Sequence, residues 1–214
     1  MAGKRSIIPN HDGVPDARGG VEYNPLSQSQ TTGSRRKERA EGKAELIVGL
    51  FGVTDEQRER ILERCRGRKY TSIRDAVERV TRPKESPLTL SYCFSMSGEG
   101  VIASATVIIN DARKNGEERE MRGATTAPVG NGAVSAICKA IRQTVGIDFH
   151  LTDYVVRIGS GRDEKRDEDS SARVTVELEC GGKRFVGMHC DTDIIKASAV
   201  AVLDALNRYI AFSK

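Results

Sequence analysis

Val174-Thr175-Val176-Glu177-Leu178-Glu179-Cys180-Gly181-Gly182-Lys183-Arg184-Phe185 is the stretch that decides the fold. Val174, Val176, Leu178 and Cys180 alternate with polar residues, the period-two pattern of a strand with one buried face. Gly181-Gly182 turns the chain into a second strand from Phe185 to Cys190. Just upstream Tyr154, Val156 and Ile158 alternate in the same way. Downstream, Asp191-Thr192-Asp193 opens a helix whose apolar face is Ile195, Ala199, Val202, Leu203, Leu206 and Ile210. The period changes there from two to near four, as it must when a strand gives way to a helix packed on one side. The segment from about Phe149 to Phe212 therefore reads as three strands and a helix.

The same order occurs once before, from about Leu88 to Gly146. Leu88, Leu90, Tyr92, Phe94 and Met96 alternate, as do Val101, Ala103, Ala105, Val107 and Ile109. Asn115-Gly116 marks a turn into a third strand, and after Pro128-Val129-Gly130-Asn131-Gly132 the apolar positions become Val134, Ile137, Ile141 and Val145. This internal repeat predicts an α+β fold of two βββα units related by a pseudo-twofold axis, occupying residues 87–214. Three-stranded sheets are small, and each helix can cover one face. Alternating residues such as Val174, Val176 and Leu178 are expected to need a second layer from a homodimer partner.

Residues 1–43 have few aliphatic side chains, scattered Gly, Pro, Ser, Gln and Thr, and no periodicity, the composition of a disordered tail. Residues 44–86 read as a helical linker subdomain. Leu46, Ile47, Val48, Leu50 and Phe51 form a short apolar segment. Thr54-Asp55-Glu56-Gln57 is a capping box opening a helix from Asp55 to about Arg66. Gly67 ends it, Ser72 with Asp75 starts a second short helix carrying Ile73, Val77 and Val80, and Pro83 and Pro87 break the pattern. Paired short helices also fit a helix-turn-helix, but the connection carries no recognition-helix signature.

The 214 residues carry a net charge of +4, 21 glycines and no tryptophan. No apolar run reaches the roughly 20 residues of a membrane span, and Met1-Ala2-Gly3-Lys4-Arg5 lacks a signal sequence's apolar core, so the cytoplasm is the expected location. The five cysteines, Cys65, Cys93, Cys138, Cys180 and Cys190, are odd in number and form no Cys-x-x-Cys pair. Buried thiols are expected of them. Ser34-Arg35-Arg36-Lys37-Glu38-Arg39 and Arg64-Cys65-Arg66-Gly67-Arg68-Lys69 are basic clusters that could meet nucleic acid. Interleaved acids and the lack of stacking aromatics favour solvated surface instead.

No catalytic constellation can be assembled. His11, His150 and His189 are far apart and lack metal-site spacing, and no phosphate loop, nucleophile elbow or dinucleotide fingerprint occurs. Gly159-Ser160-Gly161 leads into the charged run Arg162 to Asp169, which reads as a solvated hairpin connection. What the repeat offers is two helix starts. Gly130-Asn131-Gly132 leaves N–H groups free at the first, where the helix dipole favours a carboxylate. The plainer alternative, which composition alone favours, is a turn with Asn131 as cap; Asp191-Thr192-Asp193 likewise reads as an N-cap cluster. Tyr154 is either core or the wall of an apolar pocket.

The blocks Gly130-Asn131-Gly132-Ala133-Val134-Ser135-Ala136, Leu151-Thr152-Asp153-Tyr154 and Asp191 to Ala199, ending in Ala205-Leu206-Asn207-Arg208, resemble in order and spacing the C-terminal regulatory domain of 2-isopropylmalate synthases and citramalate synthases. The resemblance covers about Leu88 to Phe212, and Leu46 to Arg82 is similar to that family's linker subdomain. It implies a dimerising domain that binds leucine or isoleucine and inhibits a distant catalytic barrel. The effector contacts it implies are Gly130, Asn131, Gly132, Ala133, Ala136, Tyr154, Asp193 and Ile194. The chain has Asn131, Ala133 and Ser135 where the family usually has Asp, Pro and Asp.

A barrel of that kind takes about 250 residues, and the family's His-x-His metal pair is missing. The expectation is a non-catalytic regulatory domain, with no cofactor and no metal, that controls a separate synthase in trans. The alternatives are a dimerisation or docking module with a decayed pocket and, further off, a nucleic-acid-binding protein.

Overall fold

The computed structural model describes residues 42–65, 70–113, 119–126, 132–158 and 170–214. Several expectations lie outside them: the tail over 1–41 with His11 and the first basic cluster, residues 66–69 with Gly67, the Asn115-Gly116 turn, the Pro128 to Asn131 run and the charged loop at 162–169.

The first unit contains β1 (Leu88–Gly98), β2 (Val101–Asp111), β3 (Arg119–Thr126) and α4 (Ala133–Val145). The second contains β4 (His150–Ile158), β5 (Ala172–Cys180), β6 (Lys183–Asp191) and α5 (Ile194–Phe212). Each sheet is an antiparallel meander, ordered β1-β2-β3 and β4-β5-β6, so the fold is α+β with two βββα units. Gly181 and Gly182, at φ +56° and +75°, make the two-residue turn between paired Cys180 and Lys183. Gly146 ends α4 in the left-handed conformation and donates its N–H to the Arg142 carbonyl.

One apolar core runs through both units. Ala103, Ala105, Val107 and Ile109 of β2 meet Ile137 and Ile141 of α4, and Val174, Val176 and Leu178 of β5 meet Ala199, Val202 and Leu206 of α5. Those three β5 residues are fully buried within one chain, at about 1.5–3 kcal/mol each relative to exposure. The second layer expected from a partner is thus supplied by the chain's own α5.

Each third strand comes close to its helix at a glycine. A Cβ on Gly187 would stand 2.0 Å from the Ala201 carbonyl oxygen and 2.5 Å from the Ala205 nitrogen. On Gly123 it would stand 1.8 Å from Thr144 Oγ1 and 3.3 Å from the Ala140 carbonyl oxygen. Asn207, buried on α5, joins the units by accepting from the Leu88 N–H at 3.0 Å and donating to the Leu88 carbonyl at 2.9 Å.

β1 departs from its sequence pattern. Its pairing with β2 shifts between Leu90 and Tyr92, and such a bulge reverses which face each later side chain takes. Leu88 and Leu90 point to the core, whereas Tyr92, Phe94 and Met96 are 49%, 53% and 50% exposed and Cys93 turns inward. Val101, at the hairpin end of β2, is exposed too.

Ahead of the units come α1 (residues 42–48), α2 (Asp55–Cys65) and α3 (Tyr70–Val80). Helix α1 takes in residues 42 and 43, assigned to the tail, because Ala44, Val48 and Phe51 form one buried face while Leu46 and Leu50 point outward. The capping box forms: Thr54 N–H donates to Gln57 Oε1 and Gln57 N–H to Thr54 Oγ1. Helix α3 begins two residues before Ser72. The helices enclose a second core of Val48, Phe51, Ile61, Ile73 and Val77, closed by Val186 of β6. Backbone bonds between Gly52 and Arg184 and between Arg184 and Leu50 fasten this subdomain to β6.

Candidate functional site

The two helix starts differ in their chemistry. At α4 the N-cap is Gly132, in extended conformation with no side chain to cap the helix, and the first turn carries no acid. The N–H groups of Ala133, Val134 and Ser135 precede the first helical bond, which runs from Ala136 N–H to the Gly132 carbonyl. Among the described residues, nothing stands within 4 Å of a Cβ placed on Gly132. Ala136 is buried on the core side.

At α5 the start is closed. Asp193 Oδ1 accepts from the N–H groups of Ile195 at 2.8 Å and Lys196 at 3.1 Å, as the cap reading of this cluster expected. Asp191 accepts from the Asp193 N–H and pairs with Lys196 at 2.7 Å. The bond from Lys196, followed by that from the Asp193 N–H, holds the Asp191 carboxyl below its ordinary value, and Asp191 raises Lys196 in turn. This end presents carboxylates, whereas no described residue accepts from the first three N–H groups of α4.

Tyr154 joins the second start. It packs against the core, and its hydroxyl lies 2.8 Å from Ser198 Oγ. Ser198 in turn donates to the Ile194 carbonyl at 2.6 Å. Of the expected contacts, Tyr154, Asp193 and Ile194 thus gather at the start of α5, and Gly132, Ala133 and Ala136 at the start of α4. No hydrogen bond among the described residues links the two groups, although the helices pack on each other. Gly130 and Asn131 lie outside the described residues.

Cys93 meets the expectation of a buried thiol, but by a route the strand pattern does not show. The bulge turns it inward, where burial, with the Asp193 carboxylate adding to it, pushes its thiol up to about 11. Cys138 and Cys180 are raised to about 11 and about 12, chiefly by burial, whereas Cys190 is exposed, against expectation. No local pattern marks the bulge that turns Cys93 inward. Asn207 and Arg208 stood in a quoted block, but their partners, Leu88 and Glu78, are 119 and 130 residues away.

Among the described residues no three His, Cys, Asp or Glu side chains converge as a metal site, and no helix is long and apolar enough to cross a membrane. A shallow groove of about 250 Å³, lined by Pro83, Pro87, Asn207 and Ile210 among others, lies at the far end of α5 and contains none of the expected contacts.

Comparison with known proteins bears on this arrangement. The family described as the LeuA allosteric (dimerisation) domain matches residues 69–210. A 2-isopropylmalate synthase from Aquifex aeolicus (strain VF5) is 39% identical over 124 residues, which cover 58% of this chain and 21% of that protein. Those from Clostridium kluyveri and Heliobacterium modesticaldum are 35% and 34% identical over 128 and 134 residues, covering 58% and 63% of this chain and 22% and 24% of theirs. The chain thus spans about a fifth of the length of the curated relatives it matches.

Proposed function

The chain belongs to the LeuA allosteric (dimerisation) domain family, and from that premise we propose that it is a non-catalytic, homodimeric regulatory domain whose effector is a branched-chain amino acid, leucine or isoleucine. The observation that carries the reading is the contrast between the two helix starts. Free N–H groups and the positive dipole end of α4 suit a carboxylate, while Asp193 at α5 suits an ammonium group. A zwitterion uses both. Ala133, Tyr154 and Ile194 supply apolar surface for a branched side chain, Ala136 is buried in the core behind the α4 start, and Gly130 and Asn131 are proposed as contacts on the family resemblance.

Regulation acts on a 2-isopropylmalate synthase activity, carried by a separate protein in the cytoplasm and belonging to leucine biosynthesis. The test is thermal melting and calorimetry with leucine, isoleucine and valine. At least one should give saturable heat and raise Tm, since a ligand that binds the native state must stabilise it. Absence of both effects at millimolar ligand would remove the effector.

A second reading, a docking module with a decayed pocket, draws on the exposed Tyr92, Phe94 and Met96 of the first sheet. Contiguous apolar patches of this kind mark interaction surfaces. It predicts an assembly indifferent to amino acids.

A further inference from the structure

We infer that Arg74, on the linker helix α3, is a positioning residue for the effector site, acting through Asp153 and Tyr154. The inference rests on the effector reading above and assigns a residue that this reading leaves unused.

The Arg74 side chain is only 8% exposed. A buried guanidinium needs a counter-charge, because stripping its hydration without one is costly. Among the described residues that partner is Asp153, which pairs with Arg74 Nη1 through Oδ2. Asp153 stands just after the register shift of β4, which falls between Leu151 and Asp153 and makes Thr152 the extra residue. Its other oxygen, Oδ1, accepts the N–H of Tyr154 at 2.8 Å. One carboxylate thus holds the linker helix with one oxygen and the backbone of Tyr154 with the other.

Tyr154 carries the connection through the sheet. Its side chain reaches Ser198 on α5, and Ser198 spends its single proton on the Ile194 carbonyl, so the Tyr154 hydroxyl is the donor between them. The chain of contacts runs from Arg74 through Asp153, Tyr154 and Ser198 to Ile194, the first residue of α5. It ends where three of the expected effector contacts gather. Without Arg74, Asp153 is a half-exposed carboxylate on a bulged edge strand, free to turn to water and release the Tyr154 N–H. The ring then loses its fixed setting against Ser198.

Linkage makes the effect reciprocal: an effector that favours this setting of Tyr154 also favours docking of α3. Among the described residues the first unit offers no counterpart. The residue after its own bulge is Tyr92, which is half exposed.

The test titrates L-leucine by calorimetry into the full chain and into Arg74→Met, Arg74→Lys, Asp153→Asn and the Arg74→Met/Asp153→Asn double variant. Circular dichroism and light scattering establish fold and assembly for each. Arg74→Met and Asp153→Asn should each weaken leucine about tenfold, the double variant no more than either single one, and Arg74→Lys should recover part of the loss. Lys183→Ala, which cuts the bond from Lys183 Nζ to the Gly49 carbonyl in the same subdomain, should leave affinity unchanged. A merely structural role would not move a further readout. Leucine should slow amide exchange in α3 of the wild-type chain and fail to do so in Arg74→Met.

A folded Arg74→Met that binds leucine within about twofold of wild type, or losses that add in the double variant, would overturn the inference. Should Arg74→Met fail to fold, Asp153→Asn with the exchange readout decides by the same thresholds. A wild-type chain that gives no heat with leucine, isoleucine or valine overturns the effector reading itself, and the positioning role with it.

Discussion

The first strands of the two units break register at the same step, after Leu90 in one and after Leu151 in the other, yet they turn different chemistry outward. In the first unit the next outward residues are Tyr92, Phe94 and Met96, paired with Ile108, Thr106 and Ser104, and they meet solvent. In the second, Asp153 pairs with Glu177, and both are held by arginines, Arg74 from the linker and Arg184 from β6. Inward, the matched positions are Cys93 and Tyr154, both packed against the common core. One backbone plan has therefore been given two exteriors. The second unit carries the linker helices on its outer face, and the first leaves Tyr92, Phe94 and Met96 about half exposed.

The interiors are where the units should behave alike, and substitution can break that likeness in graded steps. The largest effect is expected at Gly187→Ala, where the new methyl meets backbone atoms of α5 that cannot swing aside. A loss of about 3 kcal/mol or more in urea unfolding should follow, or failure to fold. Asn207→Ala leaves both backbone groups of Leu88 buried without partners and should cost about 2–3 kcal/mol, loosening the junction between the units. Gly123→Ala, the first-unit counterpart of Gly187→Ala, should cost less, about 1–2 kcal/mol. Its nearest obstacle, Thr144 Oγ1, can rotate away at the loss of its bond to the Ala140 carbonyl, while Thr144 Cβ at 3.1 Å and the Ala140 oxygen at 3.3 Å need only small shifts. Phe94→Ser should change unfolding of the isolated chain by no more than about 0.5 kcal/mol, because the ring is already half in water. If Gly123→Ala proves worse than Gly187→Ala, the units are not packed as described.

Much of this was legible beforehand. Alternation over Val174 to Cys180, the Gly181-Gly182 turn and the switch of period after Asp193 identify a unit, and its recurrence identifies the fold. Thr54 and Gln57 announce their capping box, and Asp193 its cap, because these bonds reach only two or three residues along the chain. The bulge in β1 was hidden for a physical reason. Apolar residues continue at every second position from Leu88 through Met96, so composition keeps its rhythm while the backbone changes face. The covering of Val174, Val176 and Leu178 was misassigned to a partner because alternation shows that a face is buried and not by what. Arg74 and Asn207 were silent, since a polar residue within a helix reads as solvent-facing until its distant partner is known. At the candidate site the helix starts could be read locally, but the link from Tyr154 to Ser198 spans 44 residues and leaves no local trace.

The central claim is that an amino-acid carboxylate binds the open start of α4. Its most direct test is parallel calorimetry of the wild-type chain and Gly132→Trp with leucine and isoleucine. The variant is well chosen, because position 132 has ordinary extended geometry and no described residue within 4 Å of its Cβ, so fold and assembly should survive while the approach is filled. The prediction is saturable heat in the wild-type chain and none in Gly132→Trp, both eluting at twice the 23.4 kDa chain mass. Equal heat in the two proteins would contradict the claim by moving the carboxylate away from α4, and no heat in the wild-type chain would contradict effector binding altogether.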